Sequence, residues 1–191
     1  WHIWIGFDHL LFLLSLLLPA VLLRVDGGWT GAARFRDALW EVVKVVSAFT
    51  LAHSITLTLA ALDVVQLPSR WVESAIAASV IVAALNNLIV MAGASRWLFA
   101  FAFGLIHGFG FASVLADLGL PQNALLLALV AFNLGVEVGQ LAIVALFLPL
   151  AWSVRNQWIY RRGVLAGGSL LVIATAGIWL VERVFDLKLI A

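Results

Sequence analysis

Apolar residues run for twenty or more positions at a time along this 191-residue chain, broken by short polar segments. A helix needs about 20 mostly apolar residues to cross the hydrocarbon core of a bilayer. Runs of that kind lie at 3–23, 40–62, 71–92, 97–117, 123–150 and 164–184. They predict an all-α fold, a polytopic bundle of six transmembrane helices. The breaks carry turn formers or charge: Asp26-Gly27-Gly28, Asp63 to Pro68, Gly93 to Arg96, Gly119 to Pro121 and Arg155 to Gly163. The fifth run is longer than a bilayer requires, which predicts a helix that tilts or projects. Most connections are short, so sequential helices should be antiparallel neighbours within a single transmembrane domain covering 1–191. The segment Gly31 to Trp40 reads as a short interfacial helix, with Arg34, Arg36 and Asp37 among the headgroups.

Composition agrees with the pattern. The chain is 64% hydrophobic and 11% charged, against roughly 25% charged for a soluble domain. Its nine Trp and twelve Phe suit the interfaces of a bilayer. A net charge of +1 argues against nucleic acid, which would require a basic face. With no Cys and one Met, the chain has no disulfide and lacks the soft sulfur ligands that select Cu(I). It opens at Trp1 in an apolar segment with no charged n-region, which is not a signal-peptide pattern, and this predicts further residues upstream.

Orientation follows from the placement of Lys and Arg. Arg24, Arg34, Arg36, Lys44, Arg96, Arg155, Arg161 and Arg162 fall on one side, and Arg70, Arg183 and Lys188 on the other. The richer side is predicted cytoplasmic, which puts both termini outside.

Ionisable groups at membrane depth cost several kcal/mol and need a reason. His2, His9, His53 and His107 all fall in or at the rim of the predicted spans, and Asp8 and Glu137 join them. The orientation puts the histidines and Asp8 in the outer half or near the middle, where they can converge on one cavity. His2 and His9 share a helical face but stand about 10 Å apart along an ideal helix, too far to hold one ion together without an irregular turn. Asp8 is suited to ligate or to fix an imidazole tautomer. Thr50 and Ser54 flank His53, although hydroxyls in helices often bond back to their own carbonyls. Gly104 and Gly108 bracket His107, either for close approach of a ligand or as a small-xxx-small packing face. Asn133, Glu137 and Gln140 form a polar stripe on the fifth helix. Asn86 and Asn87 form a weaker one on the third, more in keeping with packing than with chemistry. Glu73 and Asp117 lie near helix ends and read as solvated. Imidazole and carboxylate without sulfur suit a divalent transition-metal ion, Ni²⁺, Co²⁺ or Zn²⁺.

Four motifs in order carry a resemblance: HIWIGFDHLLFLL from His2, FTLAHSITLTL from Phe49, FGLIHGFGFASVL from Phe103 and FNLGVEVGQ from Phe132. Together with the six apolar runs they resemble the HupE/UreJ family of hydrogenase/urease accessory membrane proteins, the nickel permeases, over essentially the whole chain. The resemblance implies Ni²⁺ transport across a bacterial inner membrane, with His2, Asp8, His9, His53, His107 and Glu137 in the metal path. Ile3 follows His2 where the best-known members carry proline. That departure places the chain nearer the relatives with an extracytoplasmic N-terminal domain, whose substrate is less secure than the family itself.

Three function classes follow. A permease is the leading one, and the absence of a phosphate-binding glycine loop leaves the membrane potential or protons to drive it. A potential of 100 mV supplies about 4–5 kcal/mol for a divalent cation. A metal-binding sensor or membrane anchor is the second. An intramembrane metalloenzyme is the third, though no Gly-x-Ser-Gly element occurs and four histidines are too few for a di-iron site, so the chain is read as a non-enzyme. Gly163 with Gly167, or Gly104 with Gly108, offer helix contacts within one chain or between copies, which leaves a homo-oligomer open.

Overall fold

The computed structural model describes residues 7–25, 28–89, 95–111 and 122–187. Its helices are α1 (Phe7–Leu17), α2 (Phe35–Ala61), α3 (Ser69–Leu88), α4 (Arg96–Gly110), α5 (Gln122–Val154) and α6 (Gly168–Phe185). A π-helical segment, Ile159–Gly167, runs directly into α6. Strands β1 (Leu22–Val25) and β2 (Gly28–Gly31) form an antiparallel hairpin between α1 and α2. This is an all-α polytopic membrane protein. Among the described residues, four helical stretches are long and apolar enough to cross a bilayer: Phe35–Ala61, Ser69–Leu88, Ala124–Val154 and Ile159–Phe185.

The outer surface explains the composition. Trp71, Leu127, Leu146 and Leu171 are each more than 70% exposed. A water-soluble surface rarely tolerates apolar patches on that scale, whereas lipid accepts them. Polar side chains are turned inward instead, with His53, His107, Ser15 and Ser169 almost wholly buried.

Several boundaries differ from the sequence pattern. The first apolar run does not stay helical to residue 23: α1 ends at Leu17, two residues before Pro19, which has no N–H to donate. Leu22 to Val25 then pair with Gly31 to Gly28, leaving Asp26 and Gly27 as the connection, outside the described residues. The expected interfacial helix at Gly31 to Trp40 is not a separate element. Gly31 ends β2, and from Phe35 the chain is already the first turn of the 27-residue α2. The break expected from Arg155 to Gly163 is shorter, because Ile159 to Gly163 coil into the π-helical turns. The long fifth run is a 33-residue helix that continues through Pro149. At 1.5 Å per residue it spans about 50 Å, well beyond a core of about 30 Å. The expected helical stretches at 3–6, 90–92 and 112–117 lie outside the described residues, as do Asp117 and Lys188.

Two kinds of contact hold the helices in place. Gly104 and Gly108 press α4 onto α2: a Cβ on Gly104 would lie 2.6 Å from the Phe49 carbonyl, and one on Gly108 would strike Thr56 Oγ1 and the His53 carbonyl. At the hairpin end, basic side chains take up helix C-terminal carbonyls, a favourable place for positive charge. Arg24 Nη2 donates to Asn86 O at 2.8 Å, and Arg96 Nη2 donates to Leu16 O at 2.6 Å. Tyr160 Oη donates to Leu18 O at 3.0 Å and seats the π-helical segment on the end of α1.

Candidate functional site

The close approach of α4 to α2 brings His107 to the level of His53, and α1 delivers His9 between them. The His9 ring lies 5.6 Å from the His53 ring and 5.1 Å from the His107 ring, centroid to centroid, nearly edge-to-face with both. Phe12, Phe49 and Phe132 wall the cluster. Phe49 stacks on His53 at 5.9 Å and meets His107 at 5.3 Å, Phe12 lies 4.8 Å from His107, and Phe132 lies 6.3 Å from His53. His53 and His107 are 1% and 0% exposed, so solvent is shut out of their surroundings.

The hydrogen bonds of these rings are incomplete. His107 Nδ1 sits 2.8 Å from the Phe103 carbonyl, one turn back on its own helix. A carbonyl only accepts, so Nδ1 carries the proton and the lone pair resides on Nε2. That Nε2 and both nitrogens of His53 are buried without a hydrogen-bond partner among the described residues. Buried polar atoms are nearly always satisfied, so three orphans in one cluster require a cause.

Spacing and orientation of the rings tell different things. Three imidazoles on one tetrahedral ion, bound through nitrogens at 2.0–2.1 Å, would have ring centroids about 5 Å apart. His9 stands at that spacing from both partners, with its plane steeply inclined to theirs. Among the described residues, however, no three His, Asp or Glu side chains form a group that could hold an ion. Gathering an ion requires rotation about χ2, a soft torsion for histidine.

Asp8 turns away from this cluster. Its Oδ2 accepts from Arg183 Nη2 at 2.7 Å, and Arg183 Nε donates to Glu73 Oε2 at 3.3 Å, so the guanidinium joins α1, α3 and α6. The sequence pattern puts Arg183 among the outer-side basic residues and Glu73 in solvent, and neither reading signals this pairing. Only the shared outer level of the three residues hinted at it. Glu73 also lines a cavity of about 240 Å³ with Asp63, Gln66 and Phe109.

The polar stripes divide into bridges and packing. On α5, Gln140 Oε1 accepts from Thr50 Oγ1 at 3.1 Å, which turns the stripe toward α2. Asn133 Nδ2 bonds its own Leu129 carbonyl at 2.9 Å, while its Oδ1 is buried without a partner among the described residues. Glu137 is half-buried between them. Ser54 Oγ bonds back to the Thr50 carbonyl at 2.7 Å. On α3, Asn87 Nδ2 donates to Ser15 O at 2.8 Å and to Ser169 Oγ at 3.2 Å, tying three helices together, and Asn86 accepts Arg24 through its carbonyl. The Asn87 side chain thus serves packing, whereas Asn86 Oδ1 is buried without a partner among the described residues. Both asparagines also border a cavity of about 490 Å³ at the hairpin end, whose walls include Arg24, Asp37, Trp40, Glu41 and Arg96. His2, expected at the start of the path, lies outside the described residues.

Residues 1–183 match the family model described as HupE / UreJ protein. No match was found among curated proteins or among solved structures.

Proposed function

The chain belongs to the HupE/UreJ family, and from that premise we propose that it is an inner-membrane permease carrying a divalent transition-metal ion, Ni²⁺ before Co²⁺ or Zn²⁺, into the cytoplasm. The observation that carries this reading is the group of three imidazole nitrogens on His53 and His107 that have no hydrogen-bond partner among the described residues, beside His9 and walled by phenylalanines. An unsatisfied buried nitrogen costs about 1–3 kcal/mol, and a passing ion that accepts these lone pairs offsets that cost during transit. Neutral imidazole is a ligand for borderline metals and a poor one for Mg²⁺ or Ca²⁺.

The path begins at the outer end with His2 and Asp8, reaches His9, His53 and His107, and passes the Asn133-Glu137-Gln140 stripe of α5 toward the hairpin end. Eight of the eleven Lys and Arg lie on that inner side, which supports the inward direction by the positive-inside rule. Ring rotation gates the middle station: the edge-to-face arrangement is the ion-free state and converging nitrogens the loaded one. Among the described residues no three ligands stand ready together, which favours a station weak enough for release, as a conduit needs and a storage site does not. The whole chain acts as one transmembrane domain in a bacterial inner membrane and performs no chemistry on its cargo.

The test is uptake of labelled Ni²⁺ into proteoliposomes at a fixed inside-negative potential, with Co²⁺, Zn²⁺ and Mn²⁺ as competitors. Saturable uptake blocked by Co²⁺ and untouched by Mn²⁺ is expected. Tight binding with no flux would overturn the permease in favour of a membrane-bound metal sensor.

A further inference from the structure

We propose that Arg183 is a built-in counter-cation for Asp8 that the transported ion has to displace, which makes it a positioning and selectivity residue for transport. The inference rests on the permease reading above. Asp8 directly precedes His9, so its carboxylate is the nearest anionic ligand to the histidine cluster along α1. Arg183 holds that carboxylate at 2.7 Å and Glu73 at 3.3 Å, with side chains of Asp8 and Arg183 only 20% and 22% exposed. Two carboxylates share this one guanidinium, so neither has it to itself. Arg183 Nη1 is buried and makes no hydrogen bond among the described residues, so one face of the fork is left unfastened. The backbone beneath is fixed: Arg70 Nε donates to the Arg183 carbonyl at 3.2 Å, and its Nη2 donates to the Val184 carbonyl. The Trp179 ring lies 5.6 Å from the guanidinium carbon and offers the displaced charge a second resting place.

A tethered cation of this kind sorts ions by charge. A monovalent ion gains less from Asp8 than the charge-assisted bond it would have to replace. A divalent ion, drawn also by the His9 imidazole, gains more. When the ion moves on, the guanidinium returns to Asp8 and prevents its return outward.

The test compares Arg183→Gln, Arg183→Lys, Asp8→Asn and the Asp8→Asn/Arg183→Gln double variant in the Ni²⁺ uptake assay, with His107→Ala alongside. Arg183→Gln should lower KM about fivefold or more, the size of an ordinary coupling between sites, while kcat falls and K⁺ begins to compete. Arg183→Lys, which keeps the charge, should restore the wild-type KM and the exclusion of K⁺. In the Asp8→Asn background the Arg183→Gln change should leave KM where it is. An unchanged or raised KM in folded Arg183→Gln protein would overturn the proposal, as would the same KM drop without Asp8. If Arg183→Gln does not fold, Arg183→Met, which keeps the apolar stem and removes the charge, takes its place with the same KM drop expected and the same unchanged KM overturning the proposal. Loss of uptake in His107→Ala with no Arg183 effect would remove the counter-cation and keep the permease. Full uptake in His107→Ala would remove the permease reading itself.

Discussion

Gly108 lies so close to His53 that a single added methyl would strike the His53 carbonyl. The separation of α4 from α2 is therefore set by a hydrogen atom, and with it the distance between the two buried imidazoles. The same two helices that hold the histidines have no room to spare where they meet.

Gly108→Ala should accordingly destabilise the fold by about 1–3 kcal/mol, the usual cost of overpacking, and should reduce metal binding by separating His107 from His53. Gly135→Ala on α5 is the control, because a Cβ there meets nothing within 4 Å. It should not destabilise, and should gain up to about 1 kcal/mol from the higher helix propensity of Ala. Thermal unfolding in detergent, followed by metal titration of each variant, checks both.

His53→Phe separates stability from function. The new ring keeps the stacking on Phe49 and the contact with Phe132, and it removes two buried nitrogens that have no partner among the described residues. The ion-free protein should melt at the same temperature or higher, since each unsatisfied atom removed saves about 1–3 kcal/mol. Uptake should fall at least tenfold. A destabilised His53→Phe protein would mean that those nitrogens are satisfied in the membrane.

Gln140→Leu removes the 3.1 Å bond that ties the α5 stripe to Thr50 of α2. Interhelical hydrogen bonds in membranes are worth about 0.6 kcal/mol and at most about 1.7, so the loss of stability should be of that order. Thr50→Val should cost the same, and the double variant little more than either single one. A double-mutant cycle on thermal stability reads this coupling.

Much of this was legible in the sequence, and for a physical reason. Apolar runs report lipid contact directly, so α2, α3 and α5 are found close to where the hydropathy puts them. The convergence of His9, His53 and His107 was also foreseeable, because an imidazole at depth has to find company. The hairpin was hidden, since Leu22 to Val25 are as apolar as the helix before them and only Pro19 signals the change. Arg183 and Glu73 were hidden for a different reason. Their partner is more than a hundred residues away, and near a helix end a charged side chain reads the same whether it meets water or a carboxylate. The π-helical start of the last span likewise leaves no mark on a hydropathy pattern.

The most direct measurement is X-ray absorption at the nickel edge of purified, Ni²⁺-loaded protein, compared with His107→Ala and His53→Phe. The three-imidazole account predicts the outer-shell scattering of three histidine rings in the wild type and of two in each variant. An oxygen-only shell, or a spectrum that neither substitution alters, would contradict it.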